Sequence, residues 1–201
     1  MFKLPTHIKP KYLCLSILAL SSLCAAASTK MEDYINFTLK IEDSMGKGKI
    51  TGAFAMKDNL NPENHQIDST SRKMLIQRVD QNNKTIWKVQ DFVQDCEVDN
   101  SLELAAPVTI TDLDGNGYNE IWMVYRLACR GDISPSAMKI IMYEGTTKYA
   151  MRGESLVYFP DGDGGMQGSG GSYKYDEAFA DGKSEFLSYA KSLWERYKRE
   201  F

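Results

Sequence analysis

Alternation of apolar and polar side chains is the main pattern in the chain after its first thirty residues. Apolar residues occupy every second position from 35 to 41, which predicts a strand with one buried face. Glycines at 46 and 48 mark a turn, and residues 49–56 predict a second, weaker strand. Residues 57–72 are polar and contain few apolar side chains, so this stretch is predicted to be a surface loop.

Several further apolar runs predict a sheet. The runs 73–79 and 85–93 flank a short polar segment and predict a hairpin. The run 121–125 is apolar on both faces, as expected for a strand inside a sheet. Shorter apolar runs separated by turns follow at 138–144, 149–152 and 155–159. Consecutive strands joined by short turns favour an antiparallel meander.

The last forty residues have a different pattern. The glycine-rich stretch 160–171 is predicted to be a mobile loop. Beyond it, apolar residues recur at helical spacing with charged residues opposite, which predicts an amphipathic helix. The apolar set is Phe186, Ala190, Leu193 and Tyr197. The sequence therefore predicts one mainly β, α+β domain over residues 28–201, with an antiparallel meander sheet and a C-terminal helix packed on it.

Residues 1–27 have the composition of a secretory signal peptide. Three lysines precede an apolar run over residues 12–23, and three alanines at 25, 26 and 27 suit cleavage. The run is too short to span a membrane comfortably, and a lipidated Cys24 is an alternative. We therefore expect a periplasmic or secreted protein without a membrane span once the leader is removed.

Charge and cysteine content indicate which partners and which covalent bond to expect. Removing the leader takes away three lysines and no acids, which leaves 21 basic against 27 acidic residues. Such a chain lacks the basic surface that nucleic acid requires, so no nucleic-acid partner is expected.

Cys96 and Cys129 remain after export, and an isolated pair in an exported protein favours a disulfide, with two buried thiols as the alternative.

The segment between the apolar positions 110 and 121 carries candidate metal ligands. Oxygen-bearing groups recur at nearly every second residue, and Gly117 permits the bend that would turn them inward. Calcium takes six to eight oxygen ligands, so this pattern predicts a calcium site. The predicted ligands are the side chains of Asp112, Asp114, Asn116 and Glu120 and the backbone carbonyl of Tyr118.

A tight turn without a metal is the alternative for the same segment. Asn116 and Gly117 form a strong hairpin signal, and aspartates are common in turns. A bare turn does not need three acids, however, whose charges would repel one another. The sequence leaves both interpretations open.

Catalytic chemistry has little support in the sequence. His65 is the one histidine after the leader, so a histidine-rich zinc site is excluded, and no nucleophile-elbow motif is present. Paired carboxylates for glycoside hydrolysis stay possible, because any two acids can meet in space. No catalytic residue is assigned, and a non-enzymatic role is favoured.

Three runs carry a resemblance to a known family: ITDLDGNGYNEIWMVY at 110–125, CRGDISPSAMKIIMYEG at 129–145 and KYAMRG at 148–153. They resemble exported bacterial proteins labelled surface polysaccharide biosynthesis proteins, a biochemically uncharacterised family. The acidic segment 112–120 also resembles the calcium loops of integrin-type β-propellers. The resemblance implies a role in the cell envelope and no catalytic residue.

Two functional hypotheses follow. The first is an exported, calcium-stabilised, non-enzymatic domain that supports surface polysaccharide assembly by binding a glycan or an envelope protein. The alternative is a periplasmic immunity protein or inhibitor of a toxin or lytic enzyme, because a negative surface attracts basic targets.

Overall fold

The computed structural model describes residues 32–200, so the predicted leader at 1–27 lies outside the described residues. The elements are β1 (Glu32–Asp43), β2 (Gly46–Leu60), β3 (Ile67–Asp80), β4 (Thr85–Cys96), β5 (Asp99–Leu104), β6 (Thr109–Thr111), β7 (Glu120–Arg130), β8 (Ala137–Glu144), β9 (Thr147–Glu154), β10 (Leu156–Pro160), β11 (Met166–Gly170), β12 (Tyr173–Tyr175), α1 (Glu177–Asp181) and α2 (Ser184–Tyr197). Strands make up 60% of the structure and helices 12%, which confirms the mainly β, α+β class.

The strands form two large antiparallel sheets. The first sheet has the order β1-β2-β3-β4, and the second has the order β12-β9-β8-β7-β5, with β6 also paired to β7. Strands β10 and β11 form a separate hairpin. Each sheet contains consecutive strands joined by short turns, so the predicted meander is confirmed, and the chain makes two such sheets.

Buried side chains divide the structure into three layers. One core lies between the two sheets, and the other lies between the second sheet and the helices. Strand β7 contributes to both, as its apolar pattern predicts. Ile121, Met123 and Tyr125 face the first sheet, and Trp122 and Val124 face the helices. Strands on both sides of β7 place it inside the sheet, which confirms the interior-strand prediction.

The C-terminal helix packs on the second sheet, as predicted. Phe186, Ala190, Leu193 and Trp194 are buried against it, whereas the opposite side of α2 is exposed. The indole N–H of Trp194 also donates to the carbonyl of Gly171 at 3.0 Å. Among residues 32–200, no helix is long and apolar enough to cross a membrane.

Two loop predictions are wrong. Within the stretch 57–72, β2 extends to Leu60 and β3 begins at Ile67, so a turn occupies 61–66. This extension is mostly polar and half-buried and is held by polar contacts such as Asn59 Nδ2 to Ser69 Oγ, 3.0 Å, so it has no apolar alternation to detect. The glycine-rich stretch 160–171 contains strand β11, which pairs with β10.

Candidate metal centre

The acidic loop, residues 112–119, connects β6 to β7, and Glu120 is the first residue of β7. Three acids converge there. One carboxylate oxygen from each of Asp112, Asp114 and Glu120 lies within 4.8 Å of the other two. Glu120 is fully buried, the side chain of Asp114 is 5% exposed, and Asp112 is exposed. Because the three oxygens are so close, the cluster could hold a metal ion.

The loop geometry follows from its glycines and from local hydrogen bonds. Thr111 pairs with Glu120 across β6 and β7, so the chain must reverse between them. Gly115 and Gly117 adopt φ values of +67° and +82°, a region that favours glycine. The carboxylate of Asp112 accepts from the Gly117 N–H at 3.2 Å. These features fold the loop over its own acids.

Glu120 is held by two hydrogen-bond donors. Its Oε2 accepts from the Thr111 hydroxyl at 2.6 Å and from the Leu113 N–H at 3.0 Å. The Thr111 Oγ1 in turn accepts from the indole N–H of Trp122 at 2.8 Å. A buried carboxylate is costly unless it is hydrogen-bonded, and these donors hold Glu120 in one orientation at the base of the loop.

Lys183 supplies a counter-charge that the sequence analysis missed. It precedes α2, and its Nζ contacts Oδ2 of Asp114. Burial raises the pKa of Asp114, but the Lys183 ammonium and the Asn116 N–H outweigh burial and hold that pKa below its ordinary value. The same contact raises the pKa of Lys183. One of the three negative charges is therefore balanced from within the chain.

Asn116 joins the cluster to a fourth acid. Its Nδ2 donates to Asp114 Oδ2 at 2.9 Å and to Glu144 Oε1 at 2.6 Å. Burial raises the pKa of Glu144, and the charge of Asp114 adds to the increase. The Asn116 Oδ1 accepts from the Tyr118 N–H at 2.7 Å, so its amide nitrogen faces the acids. The ligand roles of Asn116 and of the Tyr118 carbonyl stay predictions.

The turn between β1 and β2 docks on the acidic loop. The Ser44 N–H donates to the Gly117 carbonyl at 2.7 Å, and the Asn119 N–H donates to Asp43 Oδ2 at 3.2 Å. Asp43 and Arg78 form a two-pronged ion pair at 2.7 and 2.8 Å, and both side chains are 1% exposed. The acidic loop, which precedes β7 of the second sheet, is thus hydrogen-bonded to the first sheet.

The structure confirms the predicted disulfide. Cys96 ends β4 and Cys129 lies near the end of β7, with a Cα–Cα distance of 5.6 Å. The bond therefore ties the first sheet to the second, at the opposite end of β7 from the acidic loop.

Oxygen-only ligands favour a hard cation over a transition metal, since softer metals prefer nitrogen and sulfur.

Comparisons of the chain with protein-family models, with curated proteins and with solved structures return no match. The functional argument therefore rests on the residues and their geometry.

Proposed function

We propose that this chain is an exported, calcium-stabilised, non-enzymatic domain that supports cell-envelope or surface polysaccharide assembly by binding a glycan or an envelope protein. The convergence of Asp112, Asp114 and Glu120 is the observation that carries the proposal. Two oxygens bound to one calcium ion lie at most about 4.6–5.2 Å apart, because each bond is about 2.3–2.6 Å long. The observed limit of 4.8 Å fits this range.

Calcium binding would require two local changes. Lys183 contacts Oδ2 of Asp114, one of the three clustered carboxylates, so its ammonium would have to move away for a calcium ion to take that oxygen. The Asn116 amide would have to turn, because its nitrogen now faces the acids. Lys183 is 49% exposed, so it can return to water without disturbing the core. Calcium and Lys183 would thus compete for Asp114.

Calcium is expected to raise the thermal stability of the protein, and Asp114→Asn is expected to remove most of that response. Exposed extracellular sites of this type have dissociation constants of about 10⁻⁴–10⁻³ M. At about 10 mM calcium, a site of that affinity stabilises the fold by about 1.4–2.7 kcal/mol. Thermal melts with calcium, with magnesium and with a chelator measure the effect.

Asp163→Asn is the matched control, since it removes the same charge from the exposed turn between β10 and β11. This control variant should respond to calcium like the parent. If calcium leaves the melting temperature of the parent unchanged, or shifts the parent and Asp114→Asn equally, the loop is a turn without a metal.

Lys183→Gln is expected to tighten calcium binding by about two- to fivefold, because it removes the competing ammonium from Asp114. Calorimetric titration with calcium measures the dissociation constant. Lys191→Gln removes an equal charge from an exposed position on α2 and serves as the control. Equal affinities for the two variants would contradict competition at Asp114.

Three features support the binding role: the leader-like N-terminus, the family resemblance and the absence of a recognisable catalytic motif in the sequence. An affinity pulldown from envelope extracts, in the presence of calcium, tests it directly. Capture of a surface glycan or of an assembly protein would support the proposal. A deletion strain with unchanged surface polysaccharide would remove the polysaccharide role, and capture of one basic lytic enzyme would favour the inhibitor hypothesis.

A further inference from the structure

A row of cations crosses three neighbouring strands of the second sheet. In the strand register, Lys139 of β8 lies opposite Arg152 of β9, and Arg152 lies opposite Lys174 of β12. Neighbouring strands are about 4.8 Å apart, and like charges placed directly opposite each other destabilise a sheet. The chain has a net charge of −3, so this row differs in sign from the protein as a whole and offers a place where an anionic group can bind.

The row is accessible because the second sheet extends beyond the first. Strand β4 is an edge of the first sheet and lies over β8, where Trp87 stacks on Tyr143 with their ring centroids 4.4 Å apart. Lys148, Arg152 and Lys174 lie past that edge and are exposed. They are on the same face of the second sheet as Ala150, which is buried in the core between the two sheets. We call Lys139, Lys148, Arg152 and Lys174 the basic ledge.

Nearby acids offset part of the charge of the ledge. Asp91 of β4 accepts from Lys139 at 2.5 Å and from the Tyr125 hydroxyl at 3.0 Å, so it balances one cation. Asp176 caps α1 through the Phe179 N–H at 3.2 Å. Glu154 lies on the same face of β9, two residues beyond Arg152.

Within residues 32–200, no ion pair includes Lys148, Arg152 or Lys174. Burial lowers the pKa of Lys148 and repulsion from Arg152 and Lys139 adds to the decrease, whereas attraction to Asp176 and Asp91 opposes it. The ledge therefore places four cations beside three carboxylates, those of Asp91, Glu154 and Asp176, and keeps a net positive charge.

We propose that the basic ledge binds a segment of acidic polysaccharide through the carboxylates of its sugar units. The inference rests on the proposed function and specifies its ligand class. Guanidinium and ammonium groups bind carboxylates through charge-assisted hydrogen bonds, and a row across three strands can meet successive units of a linear chain. The aromatic rings beside the ledge, Trp87, Tyr125 and Tyr143, are buried and give nucleic-acid bases no stacking platform.

Binding of oligogalacturonate, measured by calorimetry in a calcium-free buffer at about 0.15 M salt, tests the ledge independently of the acidic loop. The test variant combines Lys148→Gln, Arg152→Gln and Lys174→Gln, and all three side chains are exposed, so the core stays intact. The matched control combines Lys47→Gln, Lys73→Gln and Lys84→Gln, three exposed positions of the first sheet and its turns. Both variants lose the same net charge.

We expect the parent to bind the acidic oligomer and not its methyl ester, which has the same sugars without the charges. The ledge variant should bind about tenfold more weakly, and the control variant should stay within about twofold of the parent. Equal weakening of both variants, or no binding by the parent, would overturn the proposal. Equally tight binding of a polyglutamate of similar length would overturn the assignment to a glycan.

Failure of the ledge is distinguishable from failure of the proposed function. If the pulldown captures an envelope glycan and the ledge variant captures it equally well, the function stands and the site lies elsewhere. If the pulldown captures neither a glycan nor an assembly protein, and the oligomer still binds in a ledge-dependent way, the ledge stands and the wider role is wrong.

Discussion

Replacing Arg78 with methionine is expected to lower the free energy of unfolding by about 3–5 kcal/mol, as found when one partner of a buried ion pair is removed. Asp43 and Arg78 are each 1% exposed, so the variant would leave the Asp43 carboxylate buried without its cation. The same carboxylate accepts the Asn119 N–H, so the acidic loop should loosen as well. Urea unfolding at pH 7 measures the loss.

Lys47→Met provides the comparison, because Lys47 pairs with Glu42 at 3.7 Å and both side chains are about 70% exposed. Its effect should stay below about 1 kcal/mol. Equal losses in the two variants would mean that burial of the Asp43–Arg78 pair contributes nothing.

The pH dependence follows from the same pair. Burial raises the pKa of Asp43, but its hydrogen bonds from Arg78, Met45 and Asn119 outweigh burial and hold the pKa below its ordinary value of 3.8. In the parent, this contribution is present above about pH 4 and is lost as the pH falls through the lowered pKa. Without Arg78, burial should have the larger effect on the pKa of Asp43, and protonation of Asp43 should remove the cost of its buried charge. The stability gap between parent and variant should therefore narrow from pH 7 towards pH 3.

Reduction of the Cys96–Cys129 bond is expected to lower the free energy of unfolding by about 3–4 kcal/mol. The two cysteines are 33 residues apart, and closing a loop of that length restricts the unfolded chain by about this amount in the chain-entropy model. Cys129 is exposed, so a reductant can reach the bond in the folded protein. Urea unfolding with and without dithiothreitol measures the difference.

A variant with Cys96→Ala and Cys129→Ala should unfold at the same urea concentration with and without the reductant. Counting thiols in the denatured, unreduced parent checks the bond itself. Two reactive thiols per chain would show that the bond is absent in the isolated protein.

Local patterns in the sequence predict a large part of this fold. Strand β7 is apolar on both faces because it separates two cores, and that arrangement is visible in residues 121–125 alone. The helix α2 and the β3–β4 hairpin are equally local, since each depends on spacing or turn chemistry within about twenty residues. The division of the strands between two sheets was not predictable, because long-range packing decides it.

The candidate site shows the same limit. Asp112, Asp114 and Glu120 lie within nine residues of one another, so their convergence could be expected from spacing and the Gly117 bend. Lys183 contacts Asp114 from 69 residues away, and Asp43 reaches Asn119 from 76 residues away. No local pattern marks these partners. They become neighbours only when the helix and the β1–β2 turn pack against the second sheet.

The contact between the β1–β2 turn and the acidic loop has a consequence for the order of folding. The loop can form a hairpin early, since its ends are close in sequence. Its hydrogen bonds to Asp43 and Ser44 can form only when the two sheets pack together. Closing such distant contacts costs chain entropy before any packing is gained. We therefore expect the loop to be completed late in folding, so an ion held there should act mainly by slowing unfolding.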